Sequence, residues 1–284
     1  MFTKSYTVLR MDQVYGNNKL DVFNRYGSEA EVTSFAISRG TEYYQLKGVD
    51  KVSPLAGRYV CEYWTSTKVD NSVSKCYAYG RQKLSEEVAW NDNIGVRIAI
   101  PLDQIREEIE GTYSEEYGRG EIKVVIYGEY PQEVLSSEDE RKINDYYEAG
   151  QLKTTGKSYS AWGYCNELFY DGTERVFERD QYPEFEFKGK KFVRAKNSVF
   201  ENGTSRDIWV EVTPIEWLVD EKTGLAITKK CILGGIPLSR KGIFLGDFEK
   251  TLVQDFIDNE FSYDVNKKIL DSNNVYEEYD FLDM

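Results

Sequence analysis

Apolar residues in this chain recur mostly in short runs bounded by Gly, Pro, Asn and Asp, the spacing of strands separated by turns. Residues 5–13 alternate enough to predict a first strand, and Asn17-Asn18 marks a turn. From Leu20 to Ile37 the positions Val22, Phe23, Val32, Phe35 and Ala36 keep helical spacing, broken near Gly27. Strands are predicted over 57–67, from Lys75 to Tyr79, and from Ile94 to Ile100, where Pro101 stops the run. Residues 102–110 read as a short acidic helix. Gly111 to Gly120 reads as a loop dividing the chain into two segments.

The second segment opens on a strand, Glu121 to Tyr127. Ser136-Ser137-Glu138-Asp139 then caps a polar helix running to about Ala149. Short strands alternate with turns from Thr154 to Gly203. The runs 208–212 and 215–219 read as strands joined near Pro214, and Asp220 to Gly224 as a hairpin turn before the strand Leu225 to Leu233. Gly234-Gly235 lacks the Lys-Ser/Thr ending of a phosphate loop and reads as a bend. A helix over about 248–259 places Leu252, Val253, Phe256 and Ile257 on one face, and 276–284 forms an acidic tail. The class is α+β with strand predominating.

Composition narrows the chemistry. The chain has no histidine, which removes Ser-His-Asp and Cys-His catalysis, histidine general bases and nearly all zinc and iron sites. Carboxylate, tyrosine and lysine chemistry stay open. Four cysteines (Cys61, Cys76, Cys165, Cys231) lie far apart, with no CxxC pair; they are expected as buried free thiols, with Cys61–Cys76 the pair able to face each other across neighbouring strands. The net charge of −13 disfavours direct binding to nucleic acid or an anionic membrane and leaves a basic protein as a conceivable partner. The acids Glu107, Glu108, Glu110, Glu115 and Glu116, with Glu277 to Asp283, are either a solvated surface or a mimic of phosphate charge. No run approaches the roughly 18 apolar residues of a membrane span, and no apolar leader follows Lys4, so a cytoplasmic protein is expected.

Two sets of motifs carry a resemblance. Trp64-Thr65-Ser66-Thr67 followed by Gly95-Val96-Arg97-Ile98-Ala99-Ile100-Pro101-Leu102 resembles the end of the formylglycine-generating-enzyme-like fold, a C-type-lectin-like architecture. Tyr127-Gly-Glu-Tyr-Pro-Gln132, Pro214-Ile-Glu-Trp-Leu-Val219 and the helix from Phe248 to Phe261 resemble the front half of a bacterial domain-of-unknown-function family with YPQ, PIEW and GVRPA motifs. Here the closing motif comes first. The resemblance therefore implies a mixed sheet with flanking helices and a permuted order, 1–110 and 121–275 sharing one core. It further implies antiparallel pairing between 94–100 and 121–127, with Val96, Ile98, Val124 and Ile126 in a common core. The oxygenase's copper-binding cysteine pair has no counterpart near Trp90, so that activity, and any cofactor, is not expected.

Members of the fold without that pair act mostly as ligand-display scaffolds. With aromatics at 14% of the chain, tyrosine-rich recognition of a protein or glycan is the function expected. The alternative is an acidic, phage-type intracellular inhibitor of a nucleic-acid-binding defence protein. Candidate contacts are Tyr63, Trp64, Tyr77, Tyr79 and Trp90. Arg97 and Trp217 are expected to be structural, Arg97 buried and hydrogen-bonded to carbonyls or a carboxylate. Trp90-Asn91-Asp92 matches part of a lectin calcium motif but lacks the partner tripeptide, so no metal is expected.

Overall fold

A computed structural model describes residues 5–46, 58–69, 72–78, 82–85, 93–117, 120–163, 178–201, 204–239 and 247–266. The first segment contains β1 (Thr7–Val8), α1 (Met11–Tyr15), α2 (Asp21–Arg25), β2 (Ala30–Val32), α3 (Ser34–Ser38), β3 (Tyr43–Gln45), β4 (Tyr59–Cys61), β5 (Tyr63–Val69), β6 (Ser72–Cys76), β7 (Gln82–Ser85) and β8 (Ile98–Pro101). Next come β9 (Gly111–Tyr117), β10 (Gly120–Val134), α4 (Ser137–Glu148), β11 (Lys153–Gly163), β12 (Glu178–Phe187) and β13 (Lys190–Glu201). The last elements are β14 (Thr204–Asp220), β15 (Leu225–Thr228), β16 (Lys230–Cys231), α5 (Leu252–Phe256) and α6 (Ser262–Asn266). Strands predominate, in a mixed α+β arrangement.

The 17-residue strand β14 organises the molecule. One of its edges pairs with β10 over Val210 to Leu218. The other edge is shared: its first half pairs with β13 and its last four residues with β15. From β13 the sheet continues through β12 to β11, and from β15 through β8 to β1, giving nine strands once β9 is added outside β10. Strands of both segments thus hydrogen-bond within one sheet. A four-stranded sheet (β16-β2-β4-β3) and a three-stranded one (β5-β6-β7) flank it.

Around β8, β14 and β15 both faces of the large sheet are covered, so these strands read as nearly continuous apolar runs. Along β10, Ile122 and Val124 enter one core with Leu9, Met11, Phe23 and Leu218, while Val125 and Tyr127 enter the other with Trp217, Phe256 and Phe261. A third cluster sets Ile143 of α4 against Phe185, Phe192 and Trp209. The Ser136 hydroxyl accepts from the Asp139 amide at 3.2 Å, the cap that the sequence predicts for α4.

Several expectations need correction, the strand over 5–13 among them, since β1 ends at Val8 and helix α1 begins at Met11. Residues 94–100 and 121–127 share a sheet but are not neighbours, because β15 and β14 lie between β8 and β10. Accordingly Val96 and Ile98 belong to one core and Val124 to the opposite one, and Ile126 is half-buried. The acidic stretch 102–110 makes two 3₁₀ turns rather than a helix. Finally, 111–117 is no loop: it is edge strand β9, pairing in register with β10 from Gly111↔Ile126 to Tyr117↔Gly120. Alternating Thr112, Ser114 and Glu116 face solvent there, a charged and polar edge that discourages further pairing.

A small ring sits where the sheets meet. β2 pairs with β16 on one side and β4 on the other, while 95–96 bridges Tyr63 and Leu233. Gly95 donates to the Glu62 carbonyl at 2.9 Å and accepts from Trp64 at 3.0 Å. A methyl group on Gly95 meets the Cys61 Sγ at 2.8 Å, the Cys231 Cβ at 3.2 Å and the Glu62 carbonyl oxygen at 3.3 Å. Gly95→Ala is therefore expected to cost about 1–3 kcal/mol by overpacking, read as a urea midpoint shift. Cys61→Ala in the same chain should restore part of that loss by vacating the sulfur's space. Equal loss in single and double variants would show the clash lies with the backbone instead.

Candidate functional site

The two candidate contacts at the head of β5 are core residues. Tyr63 is 1% exposed and Trp64 is fully buried. Successive strand residues point to opposite faces, and here both faces are covered, so Tyr63 joins one core and Trp64 the other. The Tyr63 hydroxyl donates to the Ser28 carbonyl at 2.7 Å, which satisfies its polar end. Neither side chain is available to a ligand. Tyr77 is half-buried beyond the end of β6, and its carbonyl accepts from the Cys76 thiol. Tyr79, Trp90, Asn91, Asp92, Cys165 and the tail 276–284 lie outside the described residues.

Arg97 is 1% exposed. Its Nε donates to the Thr228 carbonyl at 2.9 Å and its Nη1 to the Glu29 carbonyl at 3.3 Å. The guanidinium lies 5.0 Å from the Phe23 ring centre and 5.6 Å from that of Tyr63. Dipoles and ring faces, rather than a carboxylate, surround this cation among the described residues. Trp217 is fully buried, and its indole donates to the Tyr127 carbonyl at 2.9 Å, pinning β14 to β10 across the bulge between Ile126 and Glu129. Both residues hold the fold together.

A polar network that the sequence does not announce lies inside the curl of β10 to β13. Glu184 is fully buried, accepting from Thr155 at 2.7 Å and Tyr159 at 2.8 Å. Glu129, 7% exposed, accepts from Lys191 at 2.6 Å and Lys157 at 3.4 Å. The Tyr159 hydroxyl reaches both carboxylates. Burial, with the charges of Glu129 and Glu184 behind it, pushes the Tyr159 phenol far above its ordinary value. Burial pulls the Lys191 ammonium down, but the hydrogen bond and charge of Glu129 outweigh it and raise its pKa. A phenol held so firmly protonated is a hydrogen-bond donor, and the lysines offset carboxylate charge. The arrangement ties four strands together. One sequence signal exists for it: Glu184 falls in the same alternation phase as the buried Tyr182.

Open surface features lie elsewhere. Tyr43 and Tyr59 are 48% and 49% exposed and pack edge to face, ring centres 5.3 Å apart. Tyr59 lies opposite Gln45, so the two tyrosines are diagonal neighbours on β3 and β4, the spacing that aromatic side chains bridge. β3 ends the order of its sheet among the described residues, and Arg58, next to Tyr59 in the chain, reaches Glu31 at 3.5 Å.

Two of the cavities lined by described residues open on the surface. A groove of about 900 Å³ beside β1 is lined by Tyr6, Asp247, Phe248, Glu249 and Asp258 among others. Burial raises the Asp258 pKa, the Gln254 hydrogen bond opposes the rise, and the Asp255 charge adds to it. A second cavity, of about 520 Å³, lies between α2 and the β14–β15 turn. In its lining Arg25 pairs with Asp21 and Lys123 with Glu221, and Asp220 accepts from the Val22 amide at 2.9 Å. Of the acidic cluster beside it, Glu115 is held by Lys229 at 2.6 Å, whereas Glu107 and Glu116 are exposed.

Among the described residues no group of three or more Cys, Asp or Glu side chains is placed to hold a metal ion, and no helix is long and apolar enough to cross a membrane. Comparison with protein-family models, with curated proteins and with solved structures finds no match to this chain.

Proposed function

We propose that the protein is a non-catalytic recognition module on a C-type-lectin-like scaffold, with a protein or glycan as its ligand. The observation that carries this reading is the exposed Tyr43–Tyr59 pair, set across the terminal strand β3 and its neighbour β4. Tyrosine presents a rigid apolar ring with a polar tip at low entropic cost, which suits adaptable binding. Among the described residues β3 pairs with β4 alone, so an extended peptide is the ligand chemistry this side of the sheet favours.

Peptide and glycan arrays probed with the intact chain test this reading. Tyr43→Ser with Tyr59→Ser is expected to weaken any retained ligand at least tenfold, about 1.4 kcal/mol, with the chain still folded and only a small fall in melting temperature from the lost cross-strand pair. Unaltered binding by the double variant would move the recognition surface elsewhere.

A second reading rests on the groove beside β1. Its carboxylates and the net charge of −13 suit a basic partner, such as a nucleic-acid-binding protein that the chain inhibits. Salt separates the two: charge-led binding falls steeply with ionic strength, and aromatic binding does not.

A further inference from the structure

Cys61 and Cys231 meet inside the ring formed by β2, β4, β16 and residues 95–96. Both are fully buried and both are free. Cys61 lies opposite Ala30 on one side of β2, and Cys231 opposite Val32 on the other. The ring curls so tightly that Gly95 has the Cys61 Sγ and the Cys231 Cβ beside the same point. The Cys61 Sγ and the Cys231 Cβ therefore lie within about 6 Å of each other, with the Cys231 sulfur one bond further on. Cys76, the other free thiol among the described residues, pairs in register with Tyr63 and is directed at the Ser28 carbonyl. The Cys61–Cys76 pairing that the sequence allowed is thus displaced by a partner 170 positions away.

We propose that Cys61 and Cys231 are a redox pair whose disulfide closes this ring covalently. The oxidant is a small-molecule disulfide such as oxidised glutathione. One thiol, as thiolate, attacks a sulfur of that disulfide, forming a mixed disulfide and releasing one reduced thiol, which carries off the proton. The second cysteine then attacks the mixed disulfide, forming the Cys61–Cys231 bond and releasing the second reduced thiol. Two protein thiols are oxidised and one disulfide is reduced to two thiols. Access comes from local opening: β16 is two residues long, and Tyr63↔Gly95 and Val96↔Leu233 are single bridges. Burial keeps the Cys61 thiol protonated while the ring is shut, and the Arg97 charge works against that hold. Oxidation joins segments remote in sequence, so it should raise the thermal midpoint.

The test incubates the folded chain with oxidised glutathione, blocks remaining thiols in denaturant and maps disulfide-linked peptides by mass spectrometry. The free-thiol titre is expected to fall from four to two, with Cys61 and Cys231 in one linked peptide and a higher melting temperature that reductant reverses. A chain carrying Cys76→Ser and Cys165→Ser should form the same link. A titre that stays at four, or a linked peptide joining any other pair, overturns the proposal.

Discussion

Above about pH 9 the folded chain is expected to lose stability steeply. Burial raises the Cys76 thiol from its ordinary 9.0 to about 12 and the Tyr182 phenol from 10.0 to about 12, the latter against the opposing charge of Arg39. Burial also holds Cys61, Tyr63 and Tyr130 well above their ordinary values. Each group is neutral when protonated, so the fold keeps protons that the unfolded chain releases as pH rises. Its contribution is whole below the unfolded pKa and disappears as pH climbs through the folded one. For Cys76 alone the three-unit difference is worth on the order of 4 kcal/mol, against total stabilities of about 5–15 kcal/mol for ordinary domains. Several such groups act together, so unfolding should precede pH 12. Urea midpoints and circular dichroism should fall together with the appearance of tyrosinate absorbance. Buried tyrosines titrating near 10 in a chain that stays folded would contradict this account.

Arg97→Ala is expected to cost about 3 kcal/mol or more. The substitution removes the donors of the buried Thr228 carbonyl and the half-buried Glu29 carbonyl; a buried group left unpaired carries a desolvation cost of about 1–3 kcal/mol, a half-buried one less. It also strips a cation from the Phe23 and Tyr63 rings and opens a void between them. Arg97→Met keeps most of the volume and no charge, so it should recover the packing part and leave the carbonyls unpaired. Arg97→Lys, without the guanidinium's fork, should fall between. Chemical denaturation of the three variants measures the series. An alanine loss within about 0.5 kcal/mol, the ordinary surface value, would mean the side chain is not where the fold places it.

Much of the second segment is legible from local pattern. α4 announces itself through Ser136 and its capping spacing, and the β14–β15 turn through Asp220 to Gly224. Pro214 reads as a break between two strands, yet β14 runs through it. The missing amide is tolerated because Pro214 lies opposite Glu129, at the bulge where β10 carries an extra residue. The stretch 111–117 looks like a loop because Gly, Ser, Thr and Glu carry no apolar alternation. An edge strand needs none, since its partner β10 supplies the register. The candidate contacts fail for a single reason. Tyr63 and Trp64 look like display residues because a polar run follows them, and only the covering of both faces of β5 shows them to be core. Tyr43 and Tyr59 are 16 positions apart and become neighbours through the pairing of β3 with β4, which no local pattern encodes.

Hydroxyl-radical footprinting of the native chain, read residue by residue by mass spectrometry, tests most directly which aromatics this protein presents. The structure predicts rapid oxidation at Tyr43 and Tyr59 and protection at Tyr63, Trp64 and Trp217. A ligand drawn from the arrays should then protect Tyr43 and Tyr59 while leaving the exposed Tyr15 and Tyr263 reactive. Oxidation of Tyr63 and Trp64 at the rate of exposed residues, with Tyr43 and Tyr59 silent, would contradict the recognition surface proposed for this chain.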